Sequence, residues 1–177
     1  MVAKRKYPIV YAFIDGQNLN LGTSKDLFNN KRKKIYSGWK LDYKKFRQYL
    51  SDKFHVKKAI LFIGYLEQNN KLYQHLESHG YELVFKPTVK DQEGKPKGNV
   101  DAELVLHAAA IQYKKYDKAV VVSGDGDFHC LHEFLEINRK LLRIIIPNIK
   151  SESTLLKKFQ KYKTFLSFER GKLEFLP

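Results

Sequence analysis

The sequence has few of the features that mark secreted, membrane-spanning or disordered proteins. Cys130 is the single cysteine among 177 residues, so no intramolecular disulfide can form. That suits a reducing compartment, and we expect a cytoplasmic protein. No apolar run approaches the roughly 20 residues that span a bilayer, and no signal-peptide core follows the basic first residues. Because 43% of the residues are hydrophobic, we expect a packed globular core.

Acidic residues are outnumbered, and the basic excess is uneven along the chain. Lys and Arg number 33 against 19 Asp and Glu, a net charge of +14. Residues 1–60 hold 15 basic and 4 acidic residues, a net charge of +11, whereas residues 61–120 hold 8 of each. Such a concentration indicates a surface for a polyanion, although a solubilising surface would produce the same pattern.

Short apolar runs alternate with longer helical patterns. Runs that are rich in Val, Ile and Phe predict buried parallel strands at residues 9–14, 56–63, 81–85, 118–122 and 141–146. Helical patterns lie at residues 42–54, 70–79, 100–116, 128–138 and 153–162. This alternation predicts one α/β domain over residues 1–177, with a parallel central sheet flanked by helices in three layers. The last residues could form a hairpin or an edge strand.

Three aspartates follow two of the predicted strands directly. Asp15 comes after the first strand, and Asp125 and Asp127 come after the fourth. Ligands of open α/β sheets bind beyond the carboxyl ends of the strands, so these carboxylates are predicted to share one edge. Each Asp-Gly pair taken alone could equally be a turn.

A fourth carboxylate reaches the same edge from a helix. Asp101 lies in the first turn of the helix predicted to begin after Asn99, a favourable N-cap residue. It precedes the apolar stripe that runs through Leu104, Val105, Ala108 and Ile111, and should therefore point towards the sheet. An aspartate in a first turn can also serve only to complement the helix dipole.

Converging carboxylates repel each other unless their pKa values rise or a cation neutralises them. An all-oxygen cluster suits Mg²⁺ or Mn²⁺. Such a site can stabilise the in-line displacement of a phosphodiester. The four aspartates therefore predict a divalent-metal centre.

Three segments resemble the signature blocks of the NYN domain family, in its LabA-like branch. They are residues 13–19 (FIDGQNL), 97–104 (KGNVDAEL) and 121–128 (VVSGDGDF). The resemblance implies a PIN-like Rossmannoid fold and a divalent-metal ribonuclease centre. By match, Asp15, Asp101, Asp125 and Asp127 would coordinate metal directly or through water. Asn18 and Ser123 would orient the acids or the substrate. His107 stands where many relatives have an acid, and we leave it outside the site.

Two loops combine positive charge with aromatic rings or glycine. We expect them to contact RNA, through phosphate contacts and base stacking, with Lys31, Arg32, Lys33, Lys34, Tyr36 and Trp39 in the first and Lys95 and Lys97 in the second. A solvated surface is the alternative.

His129, Cys130 and His132 lack the ligand spacing of a zinc site, and we expect Cys130 to be a small buried residue.

The sequence therefore predicts a divalent-metal-dependent ribonuclease that hydrolyses RNA, preferably single-stranded, since an acidic pocket reaches an unpaired strand more easily than an A-form duplex. Two other functions stay open. One is a non-catalytic RNA-binding or regulatory module with a metal site, and the other is a small-molecule phosphatase. The apolar stretch at residues 165–176 could support oligomerisation.

Overall fold

The computed structural model describes residues 7–86, 89–90, 96–97 and 100–176. The strands in this part of the chain are β1 (Val10–Asp15), β2 (Leu27–Phe28), β3 (Lys34–Tyr36), β4 (Val56–Gly64), β5 (Tyr81–Lys86), β6 (Val89–Lys90), β7 (Pro96–Lys97), β8 (Lys118–Val122), β9 (Leu141–Ile146) and β10 (Lys163–Phe165). The α-helices are α1 (Gly16–Ser24), α2 (Tyr43–Phe54), α3 (Asn70–Ser78), α4 (Val100–Leu106), α5 (His129–Ile137) and α6 (Arg170–Leu173).

The central sheet has the order β10-β9-β8-β1-β4-β5, and every neighbouring pair of its strands is parallel. From β1 the chain builds outward through β4 and β5. It then returns to the other side of β1 and builds outward through β8, β9 and β10. The direction of building therefore reverses between β1 and β8, which is where ligands bind in open α/β sheets. Two short antiparallel pairs, β2-β3 and β6-β7, lie outside this sheet.

The core occupies both faces of the sheet because successive residues of a strand point to opposite sides. In β1, Ala12 and Ile14 join the buried cluster that includes Phe46 of α2 and Leu76 of α3. Phe13, between them, joins the cluster beneath α4, α5 and residues 154–162. Helices thus cover both faces, and the predicted three-layer α/β architecture with a parallel sheet is confirmed. Truncating a fully buried side chain such as Phe13 to Ala would cost about 3–5 kcal/mol.

Local signals set several helix ends. Asp42 caps α2, because its side chain accepts a hydrogen bond from the backbone N–H of Lys45 at 3.0 Å. Gly80, just after α3, has a φ of +84°, the left-handed conformation expected of a glycine at a helix end. The helix proposed to begin after Asn99 is present from Val100, while Asn99 itself lies outside the described residues.

Two helix predictions were wrong in type. Residues 100–116 do not form one α-helix, since α4 passes into a π-helix at His107–Ile111 and a 3₁₀ turn at Tyr113–Lys115. The hydroxyl of Tyr116 donates a 2.6 Å hydrogen bond to the carbonyl of Ala108 in the π-helix. Ile111 is consequently 47% exposed rather than part of an inward stripe. Residues Thr154–Tyr162 form 3₁₀ turns, interrupted at Phe159 (φ −92°, ψ 23°), rather than an α-helix.

The end of the chain adopts one of the two predicted forms. Lys163–Phe165 adds an edge strand parallel to β9, and the short helix α6 follows in place of a hairpin. Leu166 and Leu173 pack into the core, which ties this segment to the rest of the fold. None of the helices in the described ranges is long and apolar enough to cross a membrane.

Candidate active site

Asp15 ends β1 and caps α1, so the strand-to-helix turn fixes its side chain. Its Oδ1 accepts the backbone N–H of Asn18 at 3.0 Å, and the residue is only 5% exposed. Burial, followed by the charges of Asp101 and Asp125, raises the pKa of Asp15 to about 6, against the lowering effect of hydrogen bonds from Asn18 and Ser123. A buried carboxylate near other carboxylates is a candidate for binding a cation or for proton transfer.

Ser123 and Asn18 connect the two neighbouring strands of the site. The hydroxyl of Ser123 donates to Asp15 Oδ2 at 3.3 Å and accepts the backbone N–H of Asp125 at 3.1 Å. The side-chain oxygen of Asn18 accepts the backbone N–H of Gly124 at 2.9 Å. Because these bonds join the end of β1 to the loop after β8, they hold Asp15 and Asp125 at a fixed separation.

The loop after β8 carries the next two acids. Asp125 caps a single 3₁₀ turn, Gly126–Phe128, by accepting the backbone N–H of Asp127 at 3.0 Å. A Cβ atom on Gly126 would lie 2.3 Å from Ser153 Oγ and 3.0 Å from Ser153 Cβ, so the loop can approach Ser153 this closely only with glycine there. Asp125 is half-buried in the site, whereas Asp127 is exposed at its rim.

Asp101 approaches from the first turn of α4, as predicted. Burial, then the charges of Asp125 and Asp127, raises its pKa above the ordinary value, and the charge of Lys86 acts in the opposite direction. Asp101 lines one cleft with Asp15 and Asp125 and a neighbouring hollow with Asp127. The four predicted aspartates therefore gather at one edge of the sheet.

Three of these aspartates line a cleft of about 360 Å³ at the reversal point of the sheet. Its walls include Asp15, Asp101 and Asp125, while Asp127 and Asp101 border a neighbouring hollow on α4. Asn148 also lines the cleft, although sequence reasoning missed it. It is 1% exposed and follows β9, so its position after the next strand of the sheet could have revealed it.

Comparison with known families fits this arrangement. The model of the NYN domain matches residues 10–166 of the chain. The chain belongs to the NYN domain family. NYN domains are generally nucleases, so membership implies a nuclease-like function related to RNA, and it is consistent with the wider PIN-like superfamily. The match does not distinguish branches, so the LabA-like assignment stays a prediction.

A solved structure supports the fold of this NYN domain. A crystal structure of a protein of unknown function from Vibrio parahaemolyticus superposes with a TM-score of 0.70 at 19% identity, covering 92% of this chain and 96% of the other. At that identity the likeness shows the fold alone. No functionally curated protein matches the chain in sequence.

The donor atoms of the NYN cleft suit a hard cation. Within the described ranges, no group of three or more His, Cys, Asp and Glu side chains is arranged to hold a metal ion as it stands. Mg²⁺ does not need such a group, because it usually takes one or two carboxylates and completes its shell with water and substrate phosphates. The cleft lining offers carboxylate, amide and hydroxyl oxygens and no histidine or cysteine among the described residues, and this lining and the raised pKa values of Asp15 and Asp101 fit that mode of binding.

The basic segment after α1 forms the β2-β3 hairpin, which begins at the cleft with Leu27. Its turn is held by Asn29, whose side chain accepts the backbone N–H groups of two turn residues. The charged side chains of the turn are exposed, namely Lys31, Arg32, Lys33 and Lys34. Lys34 pairs with Asp26 at 2.5 Å, which leaves the other three as the better candidates for phosphate contact.

The aromatic residues of this segment are placed differently from the prediction. Trp39 is 3% exposed and packs in the core, with its indole N–H donating to the hydroxyl of Tyr36 at 2.6 Å. Tyr36 is half-buried and packs against the same cluster. These core contacts leave the ring of Trp39 little free surface, and its stacking on a base stays a prediction. In the second loop Lys97 falls in β7, and Lys95 lies outside the described residues.

The histidine and cysteine side chains near the site differ in their burial and in the residues they contact. His132 is fully buried against Phe159, while Cys130 is exposed. The expectation of a buried cysteine was therefore wrong, because its position on α5 faces outward. His107 makes an edge-to-face contact with Phe62 at 5.2 Å between ring centroids, which is a packing role.

Proposed function

We propose that this NYN domain is a divalent-metal-dependent ribonuclease that hydrolyses phosphodiester bonds of RNA, with single-stranded RNA preferred. The observation that carries the proposal is the cleft at the reversal point of the sheet, where Asp15, Asp101 and Asp125 meet. In a family of nucleases, an oxygen-lined cleft beside a basic hairpin suits a polyanionic substrate.

Asp15, Asp125 and, from the rim, Asp127 would hold Mg²⁺ or Mn²⁺, with Asp101 completing the set. When bound, a divalent cation supplies charge stabilisation for the phosphoryl oxygens during an in-line displacement. Asn18 and Ser123 would keep Asp15 and Asp125 in position through the hydrogen bonds at 2.9–3.3 Å that link the two strand ends. Their role is positioning, because they act through the carboxylates.

Asp101 has a second proposed role as a proton acceptor. Its raised pKa makes it a better base than an ordinary aspartate. It would orient the attacking water and accept its proton as the new P–O bond forms. The old P–O bond breaks as the new one forms, and the leaving ribose oxygen takes a proton from solvent water.

The test is cleavage of a labelled single-stranded RNA in Mg²⁺, in Mn²⁺ and in EDTA. Asp15→Asn and Asp125→Asn should each lower metal-dependent cleavage at least about a hundredfold. Asp52→Asn is the matched control, since Asp52 is exposed on α2 and its carboxylate accepts a hydrogen bond from the side-chain amide of Gln48 at 2.7 Å. It should cleave like wild type.

Two outcomes would replace this function by another. If wild type retards RNA without cutting it in either metal, the domain is an RNA-binding module with a metal site. If it hydrolyses small phosphate esters and ignores RNA, the phosphatase function takes over. The basic hairpin argues against the phosphatase, because a single ester needs no such surface.

A further inference from the structure

A second, larger groove opens beside the acidic cleft. It has a volume of about 1010 Å³ and lies between α1, the segment that leads into α2, and α3; we call it the α1–α3 groove. Gln17 lines both spaces, so they meet just after β1. The volume reaches the upper end of the roughly 300–1,000 Å³ of small-molecule sites. That favours an extended ligand over a single phosphate ester.

The walls of the α1–α3 groove combine positive charge, amides and apolar surface. Of its described lining residues, three are lysines and one is acidic. The acidic one, Asp42, is already engaged in capping α2. Lys40 and Lys44 are exposed on one wall, and Lys40 Nζ lies 4.3 Å from the ring centroid of Phe175. Lysines with interspersed rings are the combination that binds phosphates and bases of an unpaired strand.

Lys86 lies in the groove at the same edge of the sheet as the acidic cleft. It ends β5 and lines the groove. Its Nζ is shielded from solvent and has no hydrogen-bond partner among the described residues. A shielded ammonium group without a partner is costly, and a bound anion would remove that cost. Its charge also lowers the pKa of Asp101, which places it electrostatically beside the carboxylates.

We propose that the α1–α3 groove binds the nucleotides that adjoin the scissile phosphodiester in a single-stranded RNA, with Lys86 contacting a phosphate where groove and cleft meet. The choice of RNA rests on the proposed function, whereas the need for an anion beside Lys86 rests on its burial. Bases would lie against the apolar and aromatic wall, and the exposed lysines would follow the backbone.

The experiment measures binding of a fluorescently labelled single-stranded RNA in EDTA, so that binding is separated from cleavage. Lys86→Met removes the charge, and Asn20→Trp fills the groove from α1 without changing any charge. Each should weaken binding at least about tenfold, and Lys86→Met should lower the salt slope by about 1. Lys57→Met, an exposed lysine at the opposite end of the sheet in β4, is the control and should bind within about twofold of wild type.

The possible results distinguish a failure of the groove proposal from a failure of the nuclease function. The midpoint temperature of thermal unfolding should be the same for Lys86→Met as for wild type, or higher. Lost binding in this variant would then not come from lost folding. If Lys86→Met and Asn20→Trp bind as wild type does, or if wild type does not bind RNA, the groove proposal is overturned whatever the metal assay shows. If both variants lose binding while wild type never cuts RNA in Mg²⁺ or Mn²⁺, the groove stands and the nuclease function fails.

Discussion

At the scale of single residues, the buried carboxylate of Asp15 lowers the stability of the folded protein when it is ionised, and a role in binding a cation would explain its presence. It is buried beside other carboxylates, and its pKa rises to about 6. An aspartate in the unfolded chain has a pKa of about 3.9. The folded state therefore binds the proton of Asp15 more tightly than the unfolded chain does. The stabilisation that this proton gives the folded state is fully present below about pH 4 and is lost as the pH rises through 6. At pH 7 the ionised carboxylate destabilises the fold unless a cation is bound.

This predicts that Asp15→Asn is more stable than wild type at pH 7 in EDTA, by about 1–3 kcal/mol. The measurement is urea unfolding at pH 7, with Asp52→Asn as the control that should not change. Adding Mg²⁺ or Mn²⁺ should raise the midpoint of wild type more than that of the variant. A variant that is less stable in EDTA would mean that hydrogen bonds at Asp15 outweigh the charge.

His132 predicts a loss of stability in acid. Burial, followed by the charge of His129, lowers its pKa to about 4, below the roughly 6.5 of an unfolded histidine. Protonation therefore favours the unfolded chain, and stability should fall as the pH drops from about 6.5 towards 4. Neither ring nitrogen has a hydrogen-bond partner among the described residues, so an apolar side chain should be tolerated.

His132→Leu should accordingly flatten the dependence of stability on pH between 7 and 5, removing about 1–2 kcal/mol of acid destabilisation. Urea midpoints at the two pH values measure this. His75→Leu, at an exposed position on α3, should keep the slope of wild type. An unchanged slope in His132→Leu would place the acid sensitivity elsewhere.

At the scale of elements, the strands were predictable and several helices were not. The five predicted strands all exist, and their observed ends lie within about one residue of the predicted ones, because parallel strands buried on both faces are continuous apolar runs. Residues 154–162 form 3₁₀ turns that are interrupted at Phe159, whose φ and ψ are not helical. Leu156, Phe159 and Tyr162, spaced by three, pack in the same core cluster. In the π-helix, the carbonyl of Ala108 accepts a hydrogen bond from the side chain of Tyr116, a contact that helical periodicity cannot show.

Packing between elements, which spacing along the chain does not encode, also explains which features of the site the sequence analysis missed. Asp15, Asp125 and Asp127 follow strand ends, so topology brings them together, and Asp101 joins them from the first turn of α4. The burial of Trp39 and the position of Lys86 follow instead from how loops and helices pack across the sheet, which spacing along the chain does not encode.

The end of α3 supplies a prediction with an internal control. Gly80 has a φ of +84°, and a Cβ atom there would meet only Arg47 Nε at 3.7 Å, so any cost of a side chain is conformational. Gly80→Ala should destabilise the protein by about 1 kcal/mol. A Cβ atom on Gly171 in α6 would have nothing within 4 Å, and Gly171→Ala should stabilise by about 0.5–1 kcal/mol. Urea unfolding of both variants measures the difference, and equal effects would contradict the backbone argument.

At the scale of the whole molecule, charge is separated rather than spread evenly. The net charge is +14, and residues 1–60 carry +11 of it. This third of the chain contributes the β2-β3 hairpin and two walls of the α1–α3 groove, both of which adjoin the acidic cleft. A polyanion would therefore be drawn to the side of the molecule where the carboxylates lie, since basic surface on either side offsets their repulsion.

The hairpin makes this a prediction about salt. Binding of single-stranded RNA releases counterions, with a slope of log K against log salt of about −0.7 for each phosphate contact. Neutralising Lys31, Arg32 and Lys33 together to Met should reduce the steepness of that slope by about 2. The matched control neutralises Lys57, Lys114 and Lys115, three exposed lysines near the amino ends of β4 and β8, and removes the same total charge. If both triple variants lower the slope equally, RNA responds only to net charge; if only the hairpin variant does, the basic face beside the cleft is where the strand binds.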